Sequence, residues 1–151
     1  MKNNNNPRLI IVQLLYSYFI NNDEFVFNFK NPYKKFIKKT CKGVVENNDL
    51  LEEKIKYYLD KKFNIKNFDL IFLLILKSAI FEILFFKKTP YKVVINEYLN
   101  VSKFFLLDEQ KSIINAILDK VSREISWECN ININFNKIDF MVYFWQKTVS
   151  F

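Results

Sequence analysis

Few side chains of this protein are equipped for catalysis. There is no histidine among the 151 residues, and the two cysteines, Cys41 and Cys129, stand too far apart to give a metal-ligand spacing. They read as reduced thiols of a cytoplasmic protein. The densest carboxylate group, Glu46, Asp49, Glu52 and Glu53, falls at a polar helix junction with no histidine or glycine-rich loop beside it. General acid–base chemistry needs convergent groups in a pocket. The cluster therefore reads as a solvated helix start, and no enzymatic activity, metal or cofactor is expected. Cations are what the chain holds in excess: 23 Lys plus Arg against 16 Asp plus Glu, a net charge of +7. Such a surplus steers polyanions toward a surface. Lys34, Lys38 and Lys42 recur every four residues and line one helical stripe, with Lys35 and Lys39 beside them. A solvated face and a phosphate-binding face both fit that stripe.

The elements that must position these groups are helical. One glycine and three prolines leave few breaks, and half of the residues are hydrophobic. Asn6-Pro7 suits a helix start, followed by apolar residues at Leu9, Val12, Tyr16 and Phe19. Asn31-Pro32 opens a second helix with Phe36, Ile37, Cys41, Val44 and Val45 inward; residues 25–29 between them read as loop or short turn. A third helix from Asp49 to about Lys62 buries Leu51, Ile55, Tyr58 and Leu59. Asp69 caps the most apolar stretch, Leu70 to Phe86. Lys77 and Glu82 interrupt that stretch. A charge near a bilayer centre costs roughly 2.5–3.5 kcal/mol, and five residues of helix set the two about 140° apart. They cannot share a polar seam, so this is the central helix of a bundle. Thr89-Pro90 starts a further helix with Val94, Tyr98, Val101 and Phe105 on one side. Asp108 caps a last one, with Ile113, Ile114, Ile117, Leu118 and Val121 inward. Met1 to Pro7 is polar and lacks the apolar core of a signal peptide.

The most distinctive stretches are Pro90-Tyr91-Lys92-Val93-Val94-Ile95-Asn96-Glu97, then Val101-Ser102-Lys103-Phe104, then Asn115-Ala116-Ile117-Leu118-Asp119-Lys120. Upstream lie Val12-Gln13-Leu14-Leu15-Tyr16, Gly43-Val44 with Asn47, and Leu76-Lys77-Ser78-Ala79-Ile80-Phe81-Glu82. In this order, over roughly residues 8 to 122, they resemble the NusB family of bacterial transcription antitermination factors. The resemblance implies an all-α fold: a compact bundle of about six or seven helices in two packed subbundles. It implies binding of the boxA element of nascent RNA together with NusE, a small-subunit ribosomal protein. Both would act within an antitermination complex with RNA polymerase that transcribes ribosomal RNA operons processively. By the same resemblance Lys2, Arg8, Gln13, Lys103, Lys111 and Asn115 are RNA-binding residues, and Tyr16, Ile20 and Glu82 belong to the NusE-binding surface. Relatives occur as monomers and dimers, so a homodimer stays open as a further partner. No catalysis is implied.

Taken as residues, several of these positions also have a purely structural reading. Tyr16 lies on an apolar stripe, Asn115 reads as a buried hydrogen-bonding amide or a base reader, and Asn96-Glu97 as anchors for neighbouring backbone. Lys87-Lys88 fit the negative end of the central helix. The chain also departs from the family pattern. Where relatives carry an arginine-rich N-terminus it has Asn3-Asn4-Asn5-Asn6-Pro7-Arg8; an aromatic position is Ile113, and a glycine position is Ala116. Asparagine cannot reproduce the forked contacts of arginine with phosphate, and a lost stacking contact forfeits roughly 1–3 kcal/mol per base. Two readings follow: an RNA-binding antitermination factor, or a protein-only adaptor that binds NusE with weakened RNA affinity. The RNA-binding region of an rRNA cytosine methyltransferase fits less well, since no glycine-rich nucleotide loop or catalytic domain accompanies the motifs. A helical RNA-binding domain is expected over residues 1–126. Residues 127–151 form an apolar, Asn-rich tail in which Asn130 to Asn136 alternates with a strand-like period of two.

Overall fold

A helix that is apolar on every side must be surrounded. The stretch Leu70–Phe85 is such a helix, and in the computed structural model the other described helices are built around it. The structure describes residues 5–131, and the side chains of residues 5–126. In chain order the helices are α1 (Pro7–Asn21), α2 (Lys34–Glu46), α3 (Asn48–Tyr58), α4 (Leu70–Phe85), α5 (Tyr91–Ser102) and α6 (Asp108–Ile131), with one 3₁₀ turn at Ile65–Asn67. No strand occurs among the described residues. The protein is an all-α bundle. All five other helices pack on α4; α1 also packs on α2, α5 on α6, and α3 touches both α2 and α6.

Local chemistry accounts for most boundaries. Asn6 caps α1, its Oδ1 accepting from Arg8 N at 3.0 Å, and Pro7 follows without cost because the first turn has no use for its missing N–H. Asn22 ends α1 in the left-handed conformation (φ 55°), with its N–H on Tyr18 O. Pro32 belongs to a turn ahead of α2 and not to its first helical position, since Asn31 Oδ1 accepts from Tyr33 N at 2.8 Å and α2 starts at Lys34. Similarly Pro90 is the cap of α5, and Phe104-Phe105 lie in the turn after it, exposed. α3 ends at Tyr58, short of Lys62, because Asp60 and Asn64 build two side-chain-to-backbone turns with Lys62 N and Lys66 N. Residues 22–30 form no helix; Phe25, Phe27 and Phe29 line up as ring contacts against the core. The Asn130–Asn136 alternation is helical at its first two residues and lies outside the described residues beyond them, as does the whole of 140–145.

One close approach explains the protein's glycine. A Cβ at Gly43 would sit 2.0 Å from Phe81 Cζ, so α2 and α4 touch with no room for a side chain between them. Phe81 is itself held, stacked on Phe85 with ring centroids 4.6 Å apart. Asn47 adds a second constraint, donating from Nδ2 to Gly43 O at 2.7 Å as α2 gives way to α3. The Gly43-Val44 and Asn47 motif is thus a helix-crossing device.

Candidate functional site

The two charges that interrupt α4 have each found a partner. Lys77 is 5% exposed, and its Nζ donates to Asn48 Oδ1 at 2.8 Å and lies 3.4 Å from Glu52 Oε2 on α3. Glu82 is fully buried. Its carboxylate receives a forked pair from Arg8 on α1, Nε to Oε2 at 3.1 Å and Nη2 to Oε1 at 2.6 Å. Glu97 of α5 approaches the free edge of the same guanidinium, Nη1 to Oε2 at 3.7 Å. The cation also lies over two rings, 5.5 Å from the Phe36 centroid on α2 and 5.8 Å from that of Tyr98 on α5. Burial alone would lower the Arg8 pKa; the hydrogen bond and charge of Glu82, then Tyr98 and Glu97, outweigh it and hold it above its ordinary value. Burial, with Glu82 nearby, pushes the Tyr98 hydroxyl well above the usual tyrosine range. One arginine therefore fastens four helices.

This cluster corrects two expectations. Arg8 does not face a ligand as a free cation, because its charge is committed to Glu82 and Glu97 and its side chain is only 13% exposed. Glu82 cannot touch a partner directly, since its side chain has no exposed surface. The two residues assigned by resemblance to different surfaces form one internal ion pair.

The other face of α1 is open. At 100° per residue, Gln13, Tyr16 and Ile20 fall within about 60° of one another and about 80–140° around the helix from Arg8. All three are exposed, Tyr16 by 40% and Ile20 by 57%, while Ile11, Val12 and Leu15 point into the core. The buried stripe is thus offset from the Leu9, Val12, Tyr16, Phe19 spacing, and Tyr16 is a surface residue. An apolar tyrosine and isoleucine on a solvent face provide the anchors that protein interfaces use.

A second exposed region lies at the end of α5 and the start of α6. Lys103 is exposed and donates to Asn100 Oδ1 at 2.9 Å. Phe104, Phe105 and Leu107 are exposed beside it. Lys111 is half-buried and paired with Asp108, whose carboxyl is held below its ordinary value by that hydrogen bond and charge. Asn115 is exposed, not the buried amide that its setting in the motif suggests, and Ile113 is half-buried. Asn96 is exposed, and Glu97 anchors Arg8 in place of backbone. Lys2 lies outside the described residues. No group of three or more His, Cys, Asp or Glu able to hold a metal occurs among the described residues. No described helix is long and apolar enough to cross a membrane.

A family model described as the NusB family matches residues 5–123. The transcription antitermination protein NusB of Haemophilus influenzae (strain 86-028NP) is 38% identical over 89 residues, which are 59% of this chain and 60% of that protein. The protein of the same name from Thermodesulfovibrio yellowstonii is 35% identical over 91 residues, 60% of each chain. The chain thus spans about 60% of the length of the curated relatives it matches. Among solved structures, T. maritima NusB superposes with a TM-score of 0.70 at 23% identity, covering 82% of this chain and 94% of that one, a likeness of fold.

Proposed function

Because the chain belongs to the NusB family, we propose that it is a cytoplasmic transcription antitermination factor that binds the boxA element of nascent ribosomal RNA together with NusE. In this role it promotes processive transcription of ribosomal RNA operons, as part of a complex with RNA polymerase and without catalysis. The observation that carries the proposal is the family match across nearly the whole described bundle, joined to an exposed Gln13, Tyr16 and Ile20 strip on α1. Tyr16 and Ile20 supply an apolar footing for NusE. Gln13, Lys103, Lys111 and Asn115, with Lys2 ahead of the bundle, supply RNA contacts. Arg8 and Glu82 act indirectly, by fixing where α1 starts on α4.

Cooperative assembly makes a measurable demand. If NusE tightens boxA binding, boxA must tighten NusE binding by the same factor, typically about 5- to 150-fold. Anisotropy titrations of labelled boxA RNA with and without NusE, at moderate salt, test this. Equal RNA affinity in both would refute cooperative assembly. The commitment of Arg8 to Glu82 favours one other reading, a protein-only adaptor. It would capture NusE while leaving boxA RNA unshifted in the same titration.

A further inference from the structure

The lysines of α2 are the largest body of charge that neither the core nor the family motifs use. Lys34, Lys35, Lys38, Lys39 and Lys42 are all exposed. Around the helix axis they sweep an arc of about 140°, while Ile37, Thr40, Cys41, Gly43 and Val44 fill the arc that faces α1 and α4. None of the five lies within 4.0 Å of a carboxylate among the described residues. Lys34 and Lys35 stand in the first turn, where no acidic residue is present and the helix dipole already presents positive charge. That placement works against the helix. It has no stabilising purpose.

Two features prepare this face for a ligand. Lys38 Nζ lies 5.9 Å from the Phe27 ring centroid and Lys39 Nζ 4.8 Å from that of Phe86, so cation–π contacts hold these two ammonium groups in place at the surface without neutralising them. Tyr33, 54% exposed, stands immediately ahead of the first lysine with a ring available for stacking. Phe36 in the first turn of α2 carries the Arg8 guanidinium, but it points about 130° around the helix from the centre of the lysine arc, so the ion pair at Arg8 leaves this face untouched.

We infer that the exposed lysine face of α2, with Tyr33 at its head, is a binding track for the phosphate backbone of single-stranded RNA. This rests on the RNA-binding reading above and names a surface for it. Lysines four apart rise about 6 Å along the helix, a spacing suited to successive phosphates of an extended strand. A protein partner fits poorly, because interface cores are depleted of lysine and need apolar anchors that this arc lacks. The contacts read charge and not bases, so the track adds affinity to any sequence.

The test compares two basic patches carrying equal charge. One variant is Lys34→Gln, Lys38→Gln, Lys42→Gln; the control is Lys61→Gln, Lys62→Gln, Lys66→Gln in the α3–α4 connection, also exposed lysines. Each is titrated with labelled boxA RNA and with a scrambled RNA of equal length, over a series of salt concentrations. For single strands each phosphate contact contributes about 0.7 to the slope of log affinity against log salt. The α2 variant should therefore lose about two units of slope and roughly ten- to hundredfold in affinity at about 0.1 M salt, alike for both RNAs. Its thermal midpoint should hold or rise, and the Lys→Arg triple should bind like the parent. A slope unchanged in the α2 variant, an equal loss in the control, or loss of NusE capture with RNA binding intact would each overturn the track. If the parent protein ignored RNA altogether, the RNA-binding reading itself would fall, and the track with it.

Discussion

Removing the Arg8 side chain separates two roles for that residue, phosphate contact and internal fastener. In Arg8→Ala the Glu82 carboxylate keeps its place on α4 with no exposed surface and no forked donor. Breaking a buried pair from one side costs about 3–5 kcal/mol, because the remaining charge is neither solvated nor paired. Against a total stability of about 5–15 kcal/mol this is a large fraction. For a domain of this size it lowers the thermal midpoint by about 10–15 °C. Loss of packing against Phe36 and Tyr98 acts in the same direction. Thermal melts followed by circular dichroism read the effect directly.

The paired change Arg8→Met with Glu82→Leu removes both charges and leaves apolar volume. It should recover most of the loss, since replacing a buried pair by apolar residues is often neutral or better. With the single variants Arg8→Met and Glu82→Leu completing the cycle, the coupling should come to about 2 kcal/mol or more between positions 74 residues apart in sequence. At salt concentrations where both proteins are folded, the double variant should keep the parent's salt slope for RNA, because the Arg8 charge is spent inside. A midpoint shift in Arg8→Ala below about 3 °C, or a slope reduced in the double variant, would refute this account and return Arg8 to the phosphate contacts.

Gly43→Ala should destabilise by about 1–3 kcal/mol, as the new methyl meets the Phe81 ring; adding Phe81→Leu should relieve part of it, and urea melts of the three proteins check the order. Burial pushes the Cys41 thiol up to about 12, so it stays a thiol at neutral pH. Iodoacetamide at pH 8 should then leave the Cys41 peptide unmodified by mass spectrometry until urea unfolds the chain, and rapid native labelling would contradict that burial. The hydrogen bond from Lys56, opposed by partial burial and assisted by Lys77, holds the Glu52 carboxyl below its ordinary value. A depressed folded value means that its contribution is complete above the unfolded pKa and is lost as pH falls through the folded one. Stability should thus be level down to about pH 5 and fall below about pH 4, less steeply in Glu52→Gln, as acid-titrated melts would show.

How far the protein could be read from sequence depends on the range of each interaction. Helix existence was legible because it follows from local spacing: six apolar patterns match six helices, and the run around Lys77 and Glu82 is the central one. Boundaries shifted where a turn competed. Asn31 draws Pro32 into a turn before α2, and Asp60 and Asn64 stop α3 early. The offset of the α1 stripe has a different cause. Leu15 and Tyr16 both continue a helical spacing from Val12, at i+3 and i+4, and only the position of α4 decides that Leu15 is covered and Tyr16 is not.

The candidate site was less legible, because sequence gives a surplus of charge and not its destination. Arg8 looks free beside a run of asparagines, yet its partners lie on α4 and α5, far along the chain. Nothing local announces them. The α2 lysines are the opposite case: Glu46, the only carboxylate of α2, lies beyond the helical reach of Lys34 and Lys38 and, though four residues from Lys42, does not come within 4.0 Å of it. A charge stays available for a ligand when both its own helix and the helices packed on it withhold an anion. By that criterion Arg8 at the start of α1 is closed, and the stripe on α2 is open.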